Sequence, residues 1–145
     1  QGVPHMNTIE AMAVAFEEAM DKKFSDYAKQ VVKNAAVLAN GLRARGFGVF
    51  GTENHLMVVD IGEGKGKEAA VRLEEAGIIV NANTVPHDKA GPFRPSGIRL
   101  GSPAMTTRGF DEADFERVAG WIDGVVKGED PVRVREEIRS YLGKE

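Results

Sequence analysis

Five stretches of the chain carry apolar residues at the three- and four-residue spacing that is typical of amphipathic helices. The first follows a candidate N-cap at Thr8, and the second follows one at Ser25. A third helix is predicted for residues 67–76. Two more begin at Asp111 and at Asp130, and aspartate is a residue type that caps helix N-termini. The pattern therefore predicts helices clustered toward both ends of the chain.

Between the helices lie short stretches rich in β-branched and aromatic residues, which predict strands at residues 47–50, 55–61 and 78–80 and around Arg99. Residues 55–61 are apolar on both faces, as expected for a central strand covered by helices. Residues 81–95 are polar, contain three prolines and predict a long loop that belongs to a site. This order of elements favours an α+β domain: a small, mostly antiparallel sheet with helices on one face.

The strand around Arg99 carries the pattern that is most informative about function. Its alternation places Ile98 and Leu100 in the core and turns Gly97, Arg99 and Gly101 to the other face. A guanidinium between two glycines has cleared space around it. Its planar set of donors suits a carboxylate held by two parallel hydrogen bonds. A surface arginine paired with a neighbouring aspartate or glutamate fits the same spacing, so both interpretations stay open.

The composition narrows the classes of function. With 145 residues the chain has the size of one domain, and its net charge of −3 argues against non-specific nucleic-acid binding, which needs a basic face. The absence of cysteine excludes disulfides and thiolate metal sites. His5 and His55 have no partner at ligand spacing, which argues against any other metal site. Since no apolar run reaches the roughly 20 residues of a membrane span and no signal-peptide pattern opens the chain, we expect a cytoplasmic protein.

Six short segments occur in the order and at about the spacing found in one enzyme family. They are QGVPHM at residues 1–6, YAKQVVKN at 27–34, ENHL at 53–56, NANTVP at 81–86, SGIRLGSPAMTTRGF at 96–110 and AGWI at 119–122. Together they resemble serine hydroxymethyltransferase, the pyridoxal-phosphate enzyme that interconverts serine and glycine with tetrahydrofolate. The similarity runs from residue 1 to about residue 126. Several motifs in one order are more specific than any single one.

The resemblance implies an architecture and a set of partners. It predicts the two-layer small domain of the fold-type I pyridoxal-phosphate transferases, with residues 1–24 as a connecting helix and residues 25–145 as the C-terminal small domain. The chain would then be the C-terminal part of an enzyme whose large domain precedes it, and the complete enzyme would be a homodimer. The cofactor would be pyridoxal phosphate, the substrate serine or glycine, and the one-carbon carrier a tetrahydrofolate. Neither nucleic acid nor a membrane is an expected partner.

The same resemblance assigns roles to four residues. Arg99 matches the arginine that binds the substrate carboxylate, and Asn83 matches the asparagine that approaches the pterin ring of the folate. Without the family, Asn83 is better explained as a turn residue near Pro86. Gly2 and Val3 match two glycines whose backbone lies at the cofactor phosphate of the neighbouring subunit. Because Val3 replaces the second glycine, the backbone N–H is retained but the conformational freedom of glycine is lost.

No residue of the chain is assigned a catalytic role. Its lysines lie on predicted helices or in loops, and none resembles the family's Schiff-base lysine. That lysine and the pyridine-binding aspartate are expected before residue 1, so the chain alone is expected not to catalyse. Two alternatives stay open: the matching domain of another, aminotransferase-like pyridoxal-phosphate enzyme, or a free-standing α+β module that binds a carboxylate without chemistry.

Some residues near the predicted site have two possible roles. His87 and Asp88 either line the folate side of the site or form a solvated pair in the loop. Arg94 and Arg108 either attract anionic ligands or are ordinary surface arginines. The apolar stripe of the helix at residues 8–20 is predicted to pack on the large domain or on a partner subunit.

Overall fold

The computed structural model describes residues 2–51 and 53–143, and these residues form six helices and four strands. The helices are α1 (Met6–Met20), α2 (Lys22–Ala44), α3 (Gly66–Glu75), α4 (Pro103–Thr107), α5 (Glu112–Val126) and α6 (Pro131–Leu142). The strands are β1 (Gly48–Gly51), β2 (Leu56–Asp60), β3 (Asn81–Asn83) and β4 (Gly97–Gly101).

The four strands form one antiparallel sheet in the order β1-β2-β4-β3. Strand β4 pairs with β2 on one side and with β3 on the other. In this register Arg99 lies opposite Val58 of β2 and opposite Asn81 of β3. Strand β4 is thus held from both sides, whereas β3 is a three-residue edge strand.

One face of the sheet is buried under the helices. The strands contribute Met57, Val59, Ile98 and Leu100 to the core, each at most 6% exposed. Helices α2, α3, α5 and α6 cover them with the buried side chains Ala35, Leu38, Ala39, Leu42, Ala69, Leu73, Phe115, Ala119, Ile122, Val125 and Val134. The predicted fold class, a small α+β domain with a mostly antiparallel sheet and helices on one face, is confirmed.

The second helix begins earlier than its pattern predicted, so the prediction of a cap at Ser25 is wrong. Helix α2 starts at Lys22 because Asp21 has an extended backbone and its Oδ1 accepts a hydrogen bond from the Lys23 amide at 3.0 Å. The Ser25 amide already donates to the Asp21 carbonyl inside the helix. The division of the chain between residues 24 and 25 stays a prediction.

The predicted strand at residues 78–80 is not formed, and β3 lies instead in the segment predicted as a loop. Residues 77 and 78 still close the end of α3, since Gly77 has a φ of +86° and the Ile78 amide donates to the Leu73 carbonyl at 2.8 Å. Pairing with β4 therefore begins only at Asn81.

Strand β2 is buried on one face, not on both as its apolar sequence predicted. Met57 and Val59 are fully buried, but Leu56 is 37% exposed and Val58 is half-buried. In the part of the chain that the structure describes, no helix covers the face of the sheet that carries Val58.

The aspartate caps of the last two long helices are confirmed. Asp111 accepts from the amides of Ala113 and Asp114, and the Asp114 carboxylate accepts from the Asp111 amide, which completes a capping box. Asp130 caps α6 by accepting from the Val132 amide at 3.0 Å.

Helix α1 leads into α2 through Asp21 and buries none of its own residues. Its large apolar side chains stay between 47% and 87% exposed; they are Met6, Ile9, Met12, Val14, Phe16 and Met20. So large an apolar surface on one helix is characteristic of an interaction face. Among the residues that the structure describes, no helix combines the length and apolar character that a membrane span needs.

A buried polar network joins α2 to the segment that follows β4. The fully buried Asn34 donates from Nδ2 to Thr106 Oγ1 and to the Phe110 carbonyl, both at 2.9 Å. Its Oδ1 accepts from Gln30 Nε2 at 2.9 Å. The motif at residues 27–34 therefore has a structural role here: it fixes α4 and the approach to α5 against α2.

We predict that Asn34→Ala destabilises the domain, because it leaves the Phe110 carbonyl and its other partners unsatisfied in the interior. The free energy of unfolding in urea should fall by about 1–3 kcal/mol. The matched control is Asn40→Ala on the exposed side of the same helix, which should change stability by less than about 0.5 kcal/mol. Equal losses for the two variants would contradict the role given to Asn34.

Candidate functional site

The site is built on β4, whose side chains alternate as predicted. Ile98 is fully buried and Leu100 is 6% exposed, while Arg99 between them is exposed. Because β4 pairs on both sides, the backbone under Arg99 is fixed by two ladders. The guanidinium therefore stands on a rigid base on the uncovered face of the sheet.

Among the described residues, no carboxylate pairs with the guanidinium of Arg99. Its Nη2 donates a 3.3 Å hydrogen bond to Asn81 Oδ1 on the neighbouring strand. Within residues 2–51 and 53–143, no aspartate or glutamate lies within ion-pair distance of Arg99. The long, neutral bond to Asn81 orients the guanidinium and leaves its positive charge available to an anion.

The flanking glycine at position 97 does not clear space for a ligand, contrary to the prediction. A Cβ at Gly97 would lie 2.7 Å from the Val59 carbonyl oxygen and 2.7 Å from Val85 Cγ1. Glycine is needed because the loop after β3 packs directly on the strand. The space beside Arg99 is therefore shaped by the chain's own backbone and by Val85.

Asn83 lies on the same face of the sheet as Arg99. Asn81 pairs with Arg99 and Asn83 pairs with Gly97, so the side chains of Asn83 and Arg99 are diagonal neighbours across β3 and β4. Asn83 is half-buried in the strand, and its Nδ2 donates to the Thr84 carbonyl at 2.7 Å. The two predicted substrate-binding residues are thus brought together.

Gly2 and Val3 lie apart from this pair. Both precede α1 in an exposed segment, where Val3 is 81% exposed and a Cβ at Gly2 would meet nothing within 4 Å. Among the described residues, no hydrogen bond connects this segment to Arg99 or Asn83. Their role at a cofactor phosphate stays a prediction.

One hollow is lined by Arg99, and a second is lined by residues next to Asn83 in the chain. The first, of about 540 Å³, opens beside Arg99 and Asn81 and extends past Leu100 toward α5 and α6. The other, of about 780 Å³, lies on the uncovered sheet face and is lined by Phe50, Leu56, Val58, Thr84, Val85 and Pro86 among others. Both volumes are in the range of small-molecule sites.

The loop at residues 84–96 is folded around one carboxylate. Asp88 Oδ1 accepts from Ser96 Oγ at 2.6 Å and from the Ala90 amide at 3.0 Å. Its Oδ2 accepts from the Ser96 amide at 2.8 Å and from the Val85 amide at 3.3 Å. Asp88 is half-buried and is the centre of the hydrogen bonds that hold this loop together.

Ser96 connects this loop to the turn before α3. It is buried, and its Oγ accepts from the Gly64 amide at 3.0 Å. The neighbouring Pro95 carbonyl accepts from the Gly66 amide at 2.8 Å, and a Cβ at Gly66 would lie 2.6 Å from that oxygen. The absence of a side chain at Gly66 thus lets the start of α3 approach the residues before β4 closely.

His87 has a φ of +60°, an uncommon conformation for a residue with a side chain, and it is exposed. The backbone turns sharply at His87 so that Asp88 can face back into the loop.

Sequence reasoning missed the roles of Asn81 and Ser96. Asn81 could have been found from its pairing opposite Arg99. That pairing was not visible in the sequence because the strand containing Asn81 was predicted at residues 78–80, three residues too early.

Comparison with known proteins identifies the family. The family profile described as Serine hydroxymethyltransferase matches residues 1–122. This chain belongs to the serine hydroxymethyltransferase family. It is 54% identical over 129 aligned positions to a serine hydroxymethyltransferase of Acidothermus cellulolyticus, an alignment that covers 86% of this chain and 30% of the relative.

Two further serine hydroxymethyltransferases match almost the whole chain. The relative from Phenylobacterium zucineum is 45% identical, with 98% of this chain and 35% of the relative covered. The relative from a Psychrobacter species is 46% identical, and the alignment covers 99% of this chain and 35% of the relative. The chain thus spans about a third of the length of the curated relatives it matches. Membership of this transferase family disfavours both alternatives, another pyridoxal-phosphate enzyme and a binding module.

The described residues do not fit covalent attachment of pyridoxal phosphate. Every described lysine is exposed; they are Lys22, Lys23, Lys29, Lys33, Lys65, Lys67, Lys89 and Lys127. A Schiff-base lysine needs an enclosed setting that lowers its pKa and excludes water. We therefore assign no reaction step through the cofactor to these residues.

We predict that Asp88 stabilises the fold only while its carboxyl group is ionised. Hydrogen bonds from the Ser96 side chain and backbone hold the pKa of Asp88 below its ordinary value of 3.8. Its contribution is therefore complete above pH 3.8 and is lost as the pH falls through the lowered folded-state pKa. Urea unfolding should show Asp88→Asn less stable than the unchanged chain at neutral pH, with the difference shrinking below pH 3.8. A difference that is independent of pH would contradict this.

Proposed function

We propose that this chain is the C-terminal portion of a serine hydroxymethyltransferase that interconverts serine and glycine with a tetrahydrofolate-type carrier. The observation that carries the proposal is the exposed Arg99, held on a doubly paired strand beside Asn83 and without a carboxylate partner among the described residues. In this proposal Arg99 binds the substrate carboxylate and Asn83 contacts the carrier.

Arg99 suits the α-carboxylate of an amino acid for a geometric reason. A guanidinium offers two parallel donors that match the two carboxylate oxygens, and a rigid strand places them with little loss of side-chain freedom. Binding the carboxylate in this way fixes the orientation of the α-carbon relative to the rest of the site. The weak bond to Asn81 is easily exchanged for a charge-assisted one.

Asn83 suits the edge of a heterocycle. An amide side chain both donates and accepts, so it can pair with a ring that presents a donor next to an acceptor. Its position diagonal to Arg99 would place the carrier next to the amino acid, as transfer of a one-carbon unit requires.

The partners in this proposal are assigned to the surfaces that stay exposed in this chain. The apolar face of α1 and the uncovered side of the sheet would pack on the remaining two thirds of the enzyme, which would hold pyridoxal phosphate. In a homodimer, the exposed backbone at Gly2 and Val3 would reach the cofactor phosphate of the neighbouring subunit. The cytoplasmic location predicted from the sequence belongs to the same proposal.

We predict that Arg99→Lys weakens binding of serine and glycine while it keeps the fold. Lysine retains the charge but loses the planar fork of donors. Losing a hydrogen bond to a charged group costs about 1.5–3 kcal/mol, which corresponds to a roughly 10- to 150-fold higher dissociation constant. The test enzyme is a chimera in which this chain replaces the matching segment of the Acidothermus cellulolyticus relative.

The control for this experiment is Arg139→Lys, which changes an exposed arginine in the last turn of α6 that lines neither hollow. It should leave glycine binding nearly unchanged. An amine without an α-carboxylate should bind the Arg99→Lys and unchanged chimeras equally well. Tight glycine binding by Arg99→Lys would show that Arg99 is structural. A chimera that binds the cofactor but does not interconvert serine and glycine would contradict the proposed function itself.

We further predict that the chain alone does not bind pyridoxal phosphate through one specific lysine. Mixing it with the cofactor, reducing with borohydride and mapping the peptides should give only weak labelling spread over several exposed lysines. A single lysine labelled to one equivalent would overturn the assignment of cofactor attachment to the rest of the enzyme.

A further inference from the structure

We propose that Asp88 is a positioning residue, whose carboxylate fixes the distance between Asn83 and Arg99 by clasping the two ends of the loop that joins their strands. The inference rests on the proposed function, because it concerns the carrier side of that site. It is a role for a residue that need not touch either substrate.

The clasp closes the connection between β3 and β4 at both ends. Val85 lies two residues after Asn83, and its amide donates to Asp88 Oδ2 at 3.3 Å. Ser96 lies directly before β4, and both its amide and its Oγ donate to Asp88, at 2.8 and 2.6 Å. One carboxylate therefore holds the residue that leaves β3 close to the residue that enters β4.

The sheet transmits this constraint to the side chains of the site. Val85 Cγ1 lies only 2.7 Å from the position that a Cβ of Gly97 would take, so the start of the loop packs directly on the strand that carries Arg99. Asn83 is paired with the same Gly97. If Asp88 no longer binds the Val85 amide, Val85 is free to move away from Gly97. Asn83, two residues earlier in the chain, can then move with it.

The two strands depend on the clasp to different degrees. Strand β4 pairs on both sides and buries Ile98 and Leu100, so Arg99 keeps its place without the loop. Strand β3 is a three-residue edge strand that pairs only with β4, and so short a strand has little stability of its own. Loss of the clasp should therefore displace Asn83 and spare Arg99.

The clasp is itself anchored to the rest of the domain. Ser96 Oγ accepts from the Gly64 amide at 3.0 Å while it donates to Asp88, and the Ser96 carbonyl accepts from the Ile61 amide at 2.9 Å. Four donors converge on the two carboxylate oxygens of Asp88. An asparagine at position 88 has one acceptor oxygen, and its NH₂ group would face some of these donors.

The experiment measures the two substrates separately in the chimeric enzyme described above. We expect Asp88→Asn to raise the KM for tetrahydrofolate by roughly tenfold or more, and to change the dissociation constant of glycine by less than about threefold. Ser96→Ala should likewise raise the KM for tetrahydrofolate and leave the dissociation constant of glycine nearly unchanged. In the double variant, the KM for tetrahydrofolate should rise by less than the product of the two single increases, because both residues act through one clasp.

The matched control is Asp130→Asn, which removes a carboxylate that caps α6 away from the site by a similar bond to a backbone amide. It should lower stability without raising the KM for tetrahydrofolate. Hydrogen exchange of the chain by itself, outside the chimera, gives a readout that needs no activity. The amides of Val85, Ala90 and Ser96 should exchange faster in the Asp88→Asn variant than in the unchanged chain, and amides of β2 should not.

A third variant, Asn83→Ala, distinguishes failure of this inference from failure of the proposed function. If Asn83→Ala raises the KM for tetrahydrofolate and Asp88→Asn does not, the positioning role is overturned while the site assignment stands. If both variants leave that KM unchanged in an active chimera, the carrier does not bind at Asn83 and both proposals fail. An equal rise in the constants for glycine and tetrahydrofolate would show that Asp88 has only a general structural role.

Discussion

The antiparallel pairing of β4 on both of its edges is the constraint on which the rest of this domain depends. It buries Ile98 and Leu100 under the helices and, by alternation, holds Arg99 on the opposite face. A register shift of one residue would exchange these faces and remove both the core and the site. The site is rigid at Arg99 because the residues beside it are the centre of the core.

Features encoded over a few neighbouring residues could be predicted from the sequence. The alternation around Arg99 and the caps at Asp111 and Asp130 each depend on residues close together in the chain. The cap at Asp21 was missed because Asp21 and Ser25 are both residue types that cap helix N-termini. Local patterns thus predicted the five longer helices, the fold class and the buried face of β4.

Features that depend on pairing between distant residues could not be predicted. The bond from Arg99 to Asn81 follows from the register of an edge strand, and the sequence favoured an earlier, more hydrophobic segment for that strand. The packing of Val85 on Gly97 likewise appears only in three dimensions and explains a glycine that the sequence had suggested was left clear for a ligand. The roles of Asp88 and Ser96 belong to the same class, because their contacts close a loop.

The central claim is that Arg99 binds the carboxylate of the amino-acid substrate, and a crystal structure of the chimeric enzyme with glycine bound tests it most directly. The account predicts that two guanidinium nitrogens of Arg99 lie about 2.7–2.9 Å from the two carboxylate oxygens. In that structure the Arg99 bond to Asn81 should be broken or lengthened. A glycine carboxylate held by other residues, with Arg99 still bonded to Asn81, would contradict the account.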